Sequence, residues 1–192
     1  MLIGLISDTH IPNKNVKLAE SVKDAFKNVD LILHAGDLTF ESVIKELEEI
    51  APTIAVQGNR DRFHNVNLPP AQVIDIDLVK RGKVLKIGLI HGEVNPRGDT
   101  QQLYYTALEL GVDILVSGHS HVPQLETIKN VILVNPGSPT SPRLSDPSVA
   151  LLEINTDSEE ETEEDIKIEF IKTGAPVCSA LKYFSQKGKT KK

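Results

Sequence analysis

The chain has 192 residues, a formal net charge of -6 and a composition that is 40% hydrophobic and 25% charged. That is the make-up of one globular domain with a single core, and no apolar run approaches the roughly 20 residues that a membrane-spanning helix needs. The acidic balance leaves no clear nucleic-acid surface, and the lone cysteine, Cys178, excludes an internal disulfide.

Residues 1–5 are apolar but lack the basic lead and cleavage site of a signal peptide, so a cytoplasmic location is expected. Residues 2–7 then read as a strand, 17–27 as a helix, 31–34 as a strand, 41–50 as a helix and 53–57 as a strand. This βαβαβ order predicts a parallel sheet with right-handed crossovers. Strands follow at 73–78 and 84–90, then a helix from its N-cap Asp99 to about Leu110, then a buried strand at 113–117. From Gln124 the character changes. Strands at 125–128, 131–135, 149–154 and 166–171 read as antiparallel neighbours in a second sheet. The expected fold class is α/β, two sheets with helices outside, in one domain of residues 1–175. Residues 176–192 read as a C-terminal extension, a short helix and then a basic flexible tail; the acidic stretch 157–165 reads as a solvated loop.

Five of these strands run into a short polar cluster: Asp8-Thr9-His10, Gly36-Asp37, Gly58-Asn59-Arg60-Asp61, His91-Gly92 and Gly118-His119-Ser120-His121. Ligands of open α/β sheets bind outside the carboxyl ends of the strands, so five distant segments should converge on one edge. Four of the six histidines lie in these clusters. Imidazole, carboxylate and amide oxygen together suit a borderline transition metal, manganese first, with nickel, zinc or iron(II) as alternatives. Asp8, His10, Asp37, Asn59, His91, His119 and His121 are too many for one tetrahedral ion. They suit two divalent ions ~3.5–4 Å apart, with Asp37 as the bridging carboxylate. Such a site stays net positive even with a bridging hydroxide and should draw an anion, most simply a phosphate ester, which that hydroxide would attack. His34, inside a strand, reads as a core or supporting group rather than a ligand; His64 has no assigned role. Arg97 and Arg143 are candidate contacts for substrate phosphate, with solvated loop arginines as the alternative for each.

The series Asp8-x-His10, Gly36-Asp37, Gly58-Asn59-x-Asp61, His91-Gly92 and Gly118-His119-x-His121 resembles the calcineurin-like metallophosphoesterases. It is most similar to their small YfcE-like phosphodiesterase branch, in which Asn135-Pro136-Gly137-Ser138 and the following Pro142-Arg143 also have a counterpart. The resemblance implies a four-layer αββα sandwich and hydrolysis of a small phosphodiester by a two-metal mechanism. By it, Asp8, His10, Asp37 and His121 hold one metal, and Asp37, Asn59, His91 and His119 the other. Asp61 orients ligands by hydrogen bonds. Asp37, Asn59 and Arg60 are then the expected catalytic set. Arg60 stands where larger relatives carry a histidine. Arginine keeps its proton, so it suits a phosphoryl oxyanion but is a poor general acid, and diesters with good leaving groups should be handled best. Many small relatives read His-Gly-His where this chain has His91-Gly92-Glu93; Glu93 is either a surface residue or an added negative charge at the site. Relatives are often homodimers, and one, the phosphoesterase-like subunit of retromer, serves largely as a protein scaffold. Seven retained donor positions favour an enzyme here.

Overall fold

The computed structural model describes residues 1–13, 15–158, 162 and 165–174. Its elements are β1 (Leu2–Ile6), α1 (Glu20–Phe26), β2 (Leu31–His34), α2 (Ser42–Glu48), β3 (Thr53–Ala55), α3 (Asn59–Phe63), β4 (Ala71–Leu78), β5 (Lys83–Ile90), α4 (Thr100–Leu110), β6 (Ile114–Val116), β7 (Gln124–Ile128), β8 (Val131–Asn135), β9 (Ser148–Ile154) and β10 (Ile166–Lys172). The proposed extension 176–192, Cys178 and most of the acidic stretch lie outside the described residues.

Two mixed five-stranded sheets form, in the orders β10-β9-β1-β2-β3 and β4-β5-β6-β8-β7. Strand alternation divides the apolar side chains between layers. Ile3 and Leu5 of β1 face the second sheet and join Ile87, Leu89, Ile114, Val116 and Leu152 in the core between the sheets. Ile6 and Ile32 point the other way, against Val22 and Phe26 of α1 and Val43 and Leu47 of α2. Phe26 is fully buried, a contribution of roughly 1.5–3 kcal/mol. On the opposite outer face, Leu103, Tyr104 and Ala107 of α4 cover Leu115 and Leu133. The layers are therefore helix, sheet, sheet, helix, as expected.

The first three strands pair in parallel, as their βαβαβ order predicts. The last four do not share one sheet. The β7–β8 hairpin belongs to the second sheet, where β8 lies parallel to β6. The chain then crosses back, and β9 pairs antiparallel with β1 and with the edge strand β10. A tight turn keeps β7 beside β8. The long segment 136–147 lets β9 leave, and apolar alternation carries no information about which sheet a strand joins.

Local details also differ. The first helix begins at Glu20 rather than Lys17, because Ala19 is extended and the Leu18 N–H donates to Glu46 Oε2 at 3.0 Å. Asp99 caps α4 as expected, accepting the Gln101 and Gln102 N–H groups. Asp165, in the stretch read as solvated, is buried and pairs with Arg81 at 2.9 Å.

Candidate metal centre

All five polar clusters meet at one edge of the sandwich. β1, β2 and β3 run parallel in one sheet and β5 and β6 in the other, and contacts from His91 Nδ1 to Ala35 O and from the His119 N–H to Asp8 Oδ2 bring their carboxyl ends to a common rim. Three of the clusters have the same backbone shape. Asp8 and His10 (φ 51° and 40°), Asp37 and Thr39 (58° and 71°), and His119 and His121 (67° and 62°) all adopt the left-handed region at alternate positions. Left-handed non-glycine residues cost of order 1–3 kcal/mol each and persist only where surroundings over-determine them. Here the loops hold one another: Asp8 N–H donates to Gly36 O and His10 N–H to Asp37 O, both at 3.0 Å.

Seven side chains face one another across this rim. His10 Nε2 lies 3.3 Å from His121 Nε2, and Asp8 Oδ1 lies 3.7 Å and 3.3 Å from those two nitrogens. Asp37 Oδ2 is 3.5 Å from both His10 Nε2 and His91 Nε2. His91 Nε2 is in turn 3.2 Å from Asn59 Oδ1 and 3.3 Å from His119 Nδ1. One donor atom from each of Asp8, His10 and His121 lies within 4.8 Å of the others, as do those of Asp8, Asp37 and His91. Each trio is compact enough for a cation.

The second side of each group fixes the first. A carbonyl only accepts, so the 2.8 Å contact of His91 Nδ1 with Ala35 O makes Nδ1 the donor and turns Nε2 inward. His121 Nδ1 likewise donates to Ser141 O at 2.5 Å. Asp37 Oδ1 accepts the Arg60 N–H at 2.7 Å, leaving Oδ2 for the imidazoles. Asp8 Oδ2 accepts the His119 N–H at 2.9 Å, while Oδ1 is buried without a hydrogen-bond partner. An orphaned carboxylate oxygen between two imidazoles fits a metal ion, which satisfies all three at once.

Electrostatics agree. Burial opposes a charge on His91, yet the Asp37 and Asp8 carboxylates raise its pKa to about 9. Burial also works against ionised Asp37, but the His91 imidazole and the Arg60 N–H outweigh it and hold the carboxyl below its usual range. The rim thus demands positive charge. His119 is depressed by burial and by its neighbours His91 and Arg97.

Asp61 and His34 stand behind the cluster. Asp61, at 0% exposure, accepts the N–H groups of Asp37, Thr39 and Gly58 at 2.7–2.8 Å, tying α3 to the loop after β2. His34 Nδ1 accepts the Gly36 N–H at 3.2 Å, so its Nε2–H donates to Thr9 Oγ1, also at 3.2 Å. It supports the backbone between the donors and touches none of their side chains in this network. Burial drives its pKa down to about 3. The Asn135-Pro136-Gly137-Ser138 stretch now has a physical role. Asn135 Nδ2 donates to Gly118 O at 2.6 Å, and the Ser138 hydroxyl donates to Asp8 O at 2.7 Å.

A cleft of about 290 Å³ opens over the cluster, and Arg60, Arg97 and Arg143 all line it. So do Thr39, Ser141 and His64, which residue pattern alone did not single out. Glu93 forms a two-pronged surface pair with Arg62, at 2.8 and 2.7 Å, and its charge still acts on His119. A larger cleft of about 460 Å³ lies between the sheets near β7 and β10, floored by Leu85, Ile132 and Ile168; it contains none of the candidate residues.

Residues 1–157 match the family model described as the calcineurin-like phosphoesterase superfamily domain. A "Probable metallophosphoesterase" of Methanothermobacter thermautotrophicus is 50% identical over 183 residues, covering 95% of this chain and 99% of that protein. Among solved structures, Entamoeba histolytica Vps29 complexed with zinc is similar at 27% identity and a TM-score of 0.65, over 91% of this chain and 100% of its own. So is a structure described as a novel archaeal phosphodiesterase, at 26% identity and a TM-score of 0.61, over 90% and 99%. No helix among the described residues is long and apolar enough to cross a membrane. The chain belongs to the calcineurin-like phosphoesterase superfamily, among its metallophosphoesterases.

Proposed function

We propose that this protein hydrolyses phosphodiesters with a pair of divalent transition-metal ions. The observation that carries the proposal is the orphaned, buried Asp8 Oδ1 facing His10 and His121, beside Asp37 Oδ2 held equally far from His10 and His91. Asp8, His10, Asp37 and His121 would hold one ion, and Asp37, Asn59, His91 and His119 the second. Bound there, such ions lower the pKa of water toward neutrality and offset the charge of a phosphoryl group.

The chain's own residues supply the rest. Ser141 and Ala35 lock the imidazole orientations of His121 and His91. Arg60, Arg97 and Arg143 bring three permanent cations to the cleft, suited to the non-bridging oxygens of a phosphate. The Asn59 amide is held beside His91, where it can orient the reacting group. A small, open cleft favours a compact diester over a long strand. The zinc in the Vps29 structure and the phosphodiesterase described for the archaeal relative support the same chemistry.

The test is purified protein freed of metal, reloaded with Mn²⁺ and offered bis(p-nitrophenyl) phosphate, with metal content measured alongside. Two equivalents of metal and turnover that disappears in Asp37→Ala are expected. Turnover that survives Asp37→Ala at unchanged metal content would sink the proposal.

A further inference from the structure

Cleavage of a phosphate ester leaves an alkoxide or phenoxide that needs a proton. Arg60, Arg97 and Arg143 keep theirs at any ordinary pH and make poor proton donors. Of the six histidines, His10, His91, His119 and His121 face one another in the donor cluster, and His34 is buried behind it. That leaves His64.

We propose that His64 donates the proton to the departing ester oxygen. His64 lines the same cleft as the arginines and the donor cluster. It caps α3, its N–H bonded to Arg60 O and Asp61 O at 3.2 and 3.1 Å. Four residues after Arg60, it projects from the same helix face one turn further on. A phosphate held by Arg60 would therefore extend its ester arm toward His64. The Phe40 ring lies beside the imidazole at 5.4 Å between centroids, tilted by 52°, while His64 remains exposed.

In the step, a water-derived oxygen bonds to phosphorus as the bond to the leaving oxygen breaks. The electron pair goes to that oxygen, which takes the proton from imidazolium. His64 is left neutral and regains a proton from solvent. The charged and titratable groups around it are Arg60 and Asp61 of α3 and, in the rest of the cleft lining, Asp37, Arg97, Arg143, His10, His119 and His121.

This proposal rests on the phosphodiesterase reading and revises the expectation drawn from Arg60 alone. Aryl methyl phosphates with leaving groups from p-nitrophenol to phenol test it, using wild type, His64→Ala and His64→Gln. General acid catalysis contributes about 10²–10⁴-fold, so the variants should lose at least about tenfold more kcat/KM on the phenyl ester than on the p-nitrophenyl ester. The alkaline limb of the wild-type phenyl-ester profile should vanish in both. Independently of turnover, the His64 ring resonances should shift when a methyl phosphonate diester is added. Equal losses across the series, or rescue by Gln, would overturn the role of His64 while leaving the phosphodiesterase reading intact. A wild type that turns over no diester with metal bound would overturn both.

Discussion

A Cβ added to Gly58 would sit 2.2 Å from Oδ1 of Asp37 and 2.5 Å from its backbone nitrogen. The two residues come from different strand ends, β2 and β3, and their close approach lets the Arg60 N–H reach the Asp37 carboxylate. Gly58→Ala should therefore push Asp37 out of position. Metal affinity is expected to fall about 10–100-fold, the usual cost of disturbing a ligand's support, with far-ultraviolet circular dichroism unchanged. Metal titration by calorimetry checks it; native affinity in the variant would show that Asp37 is not held this way.

The buried Asp8 carboxylate makes the metal-free protein less stable than its packing allows. Asp8→Asn removes a buried charge, keeps an acceptor for the His119 N–H, and offers an amide to His10 and His121. The metal-free variant should melt higher than metal-free wild type, by about 2–4 °C if the gain is about 1 kcal/mol. Added Mn²⁺ should then raise the melting temperature of wild type by more than that of the variant, which keeps only the site of Asp37, Asn59, His91 and His119; one site at a hundredfold excess over Kd supplies about 2.7 kcal/mol. Equal rises in both proteins would remove Asp8 from the metal site.

How much of this was legible in the sequence follows from what each feature depends on. The rim was readable because an apolar run fixes where a strand ends, and polar residues beyond five such runs must share an edge in a parallel arrangement. Asp8, Asp37 and His91 could be found that way. The sheet to which β9 belongs could not, since its inward-facing Ala150, Leu152 and Ile154, and Val149 on its outer face, would suit either partner. Nor could the supports, because the Ser141 carbonyl and the Thr39 N–H act through the backbone and leave no side-chain signature. His64 went unassigned because α3 has only five residues, too few for a visible helical period.

His34 gives the metal-free protein a specific pH dependence. Its pKa is about 3 when folded and 6.5 when exposed. Below pH 6.5 the unfolded chain takes up a proton that the folded chain refuses, so stability falls as pH drops from 6.5 toward 3 and is fully present above 6.5. The slope from this one group is at most about 1.4 kcal/mol per pH unit. Urea unfolding of chelated protein at pH 7.5 and 5.0 should show about 2 kcal/mol more loss in wild type than in His34→Asn. Asn keeps an acceptor for the Gly36 N–H. Parallel losses in the two proteins would mean that His34 is charged in the fold.

Arg60 acts through two different atoms, and they can be separated. Its backbone N–H supports Asp37 at 2.7 Å, while its side chain lines the cleft. Arg60→Ala deletes only the second, so bound metal should remain at the wild-type level. A charge-assisted hydrogen bond of roughly 1.5–3 kcal/mol corresponds to a fall of about 10–100-fold in kcat/KM for a diester. Arg143→Ala should do the same, through a second cation lining the same cleft. If both guanidinium groups hold one phosphoryl group, the double variant should lose less than the product of the single losses, since each single change already loosens the shared contact. Inhibition by inorganic phosphate should weaken in step. Loss of metal in Arg60→Ala would show instead that the side chain holds the cluster together, and unchanged kinetics would return Arg60 to the solvent.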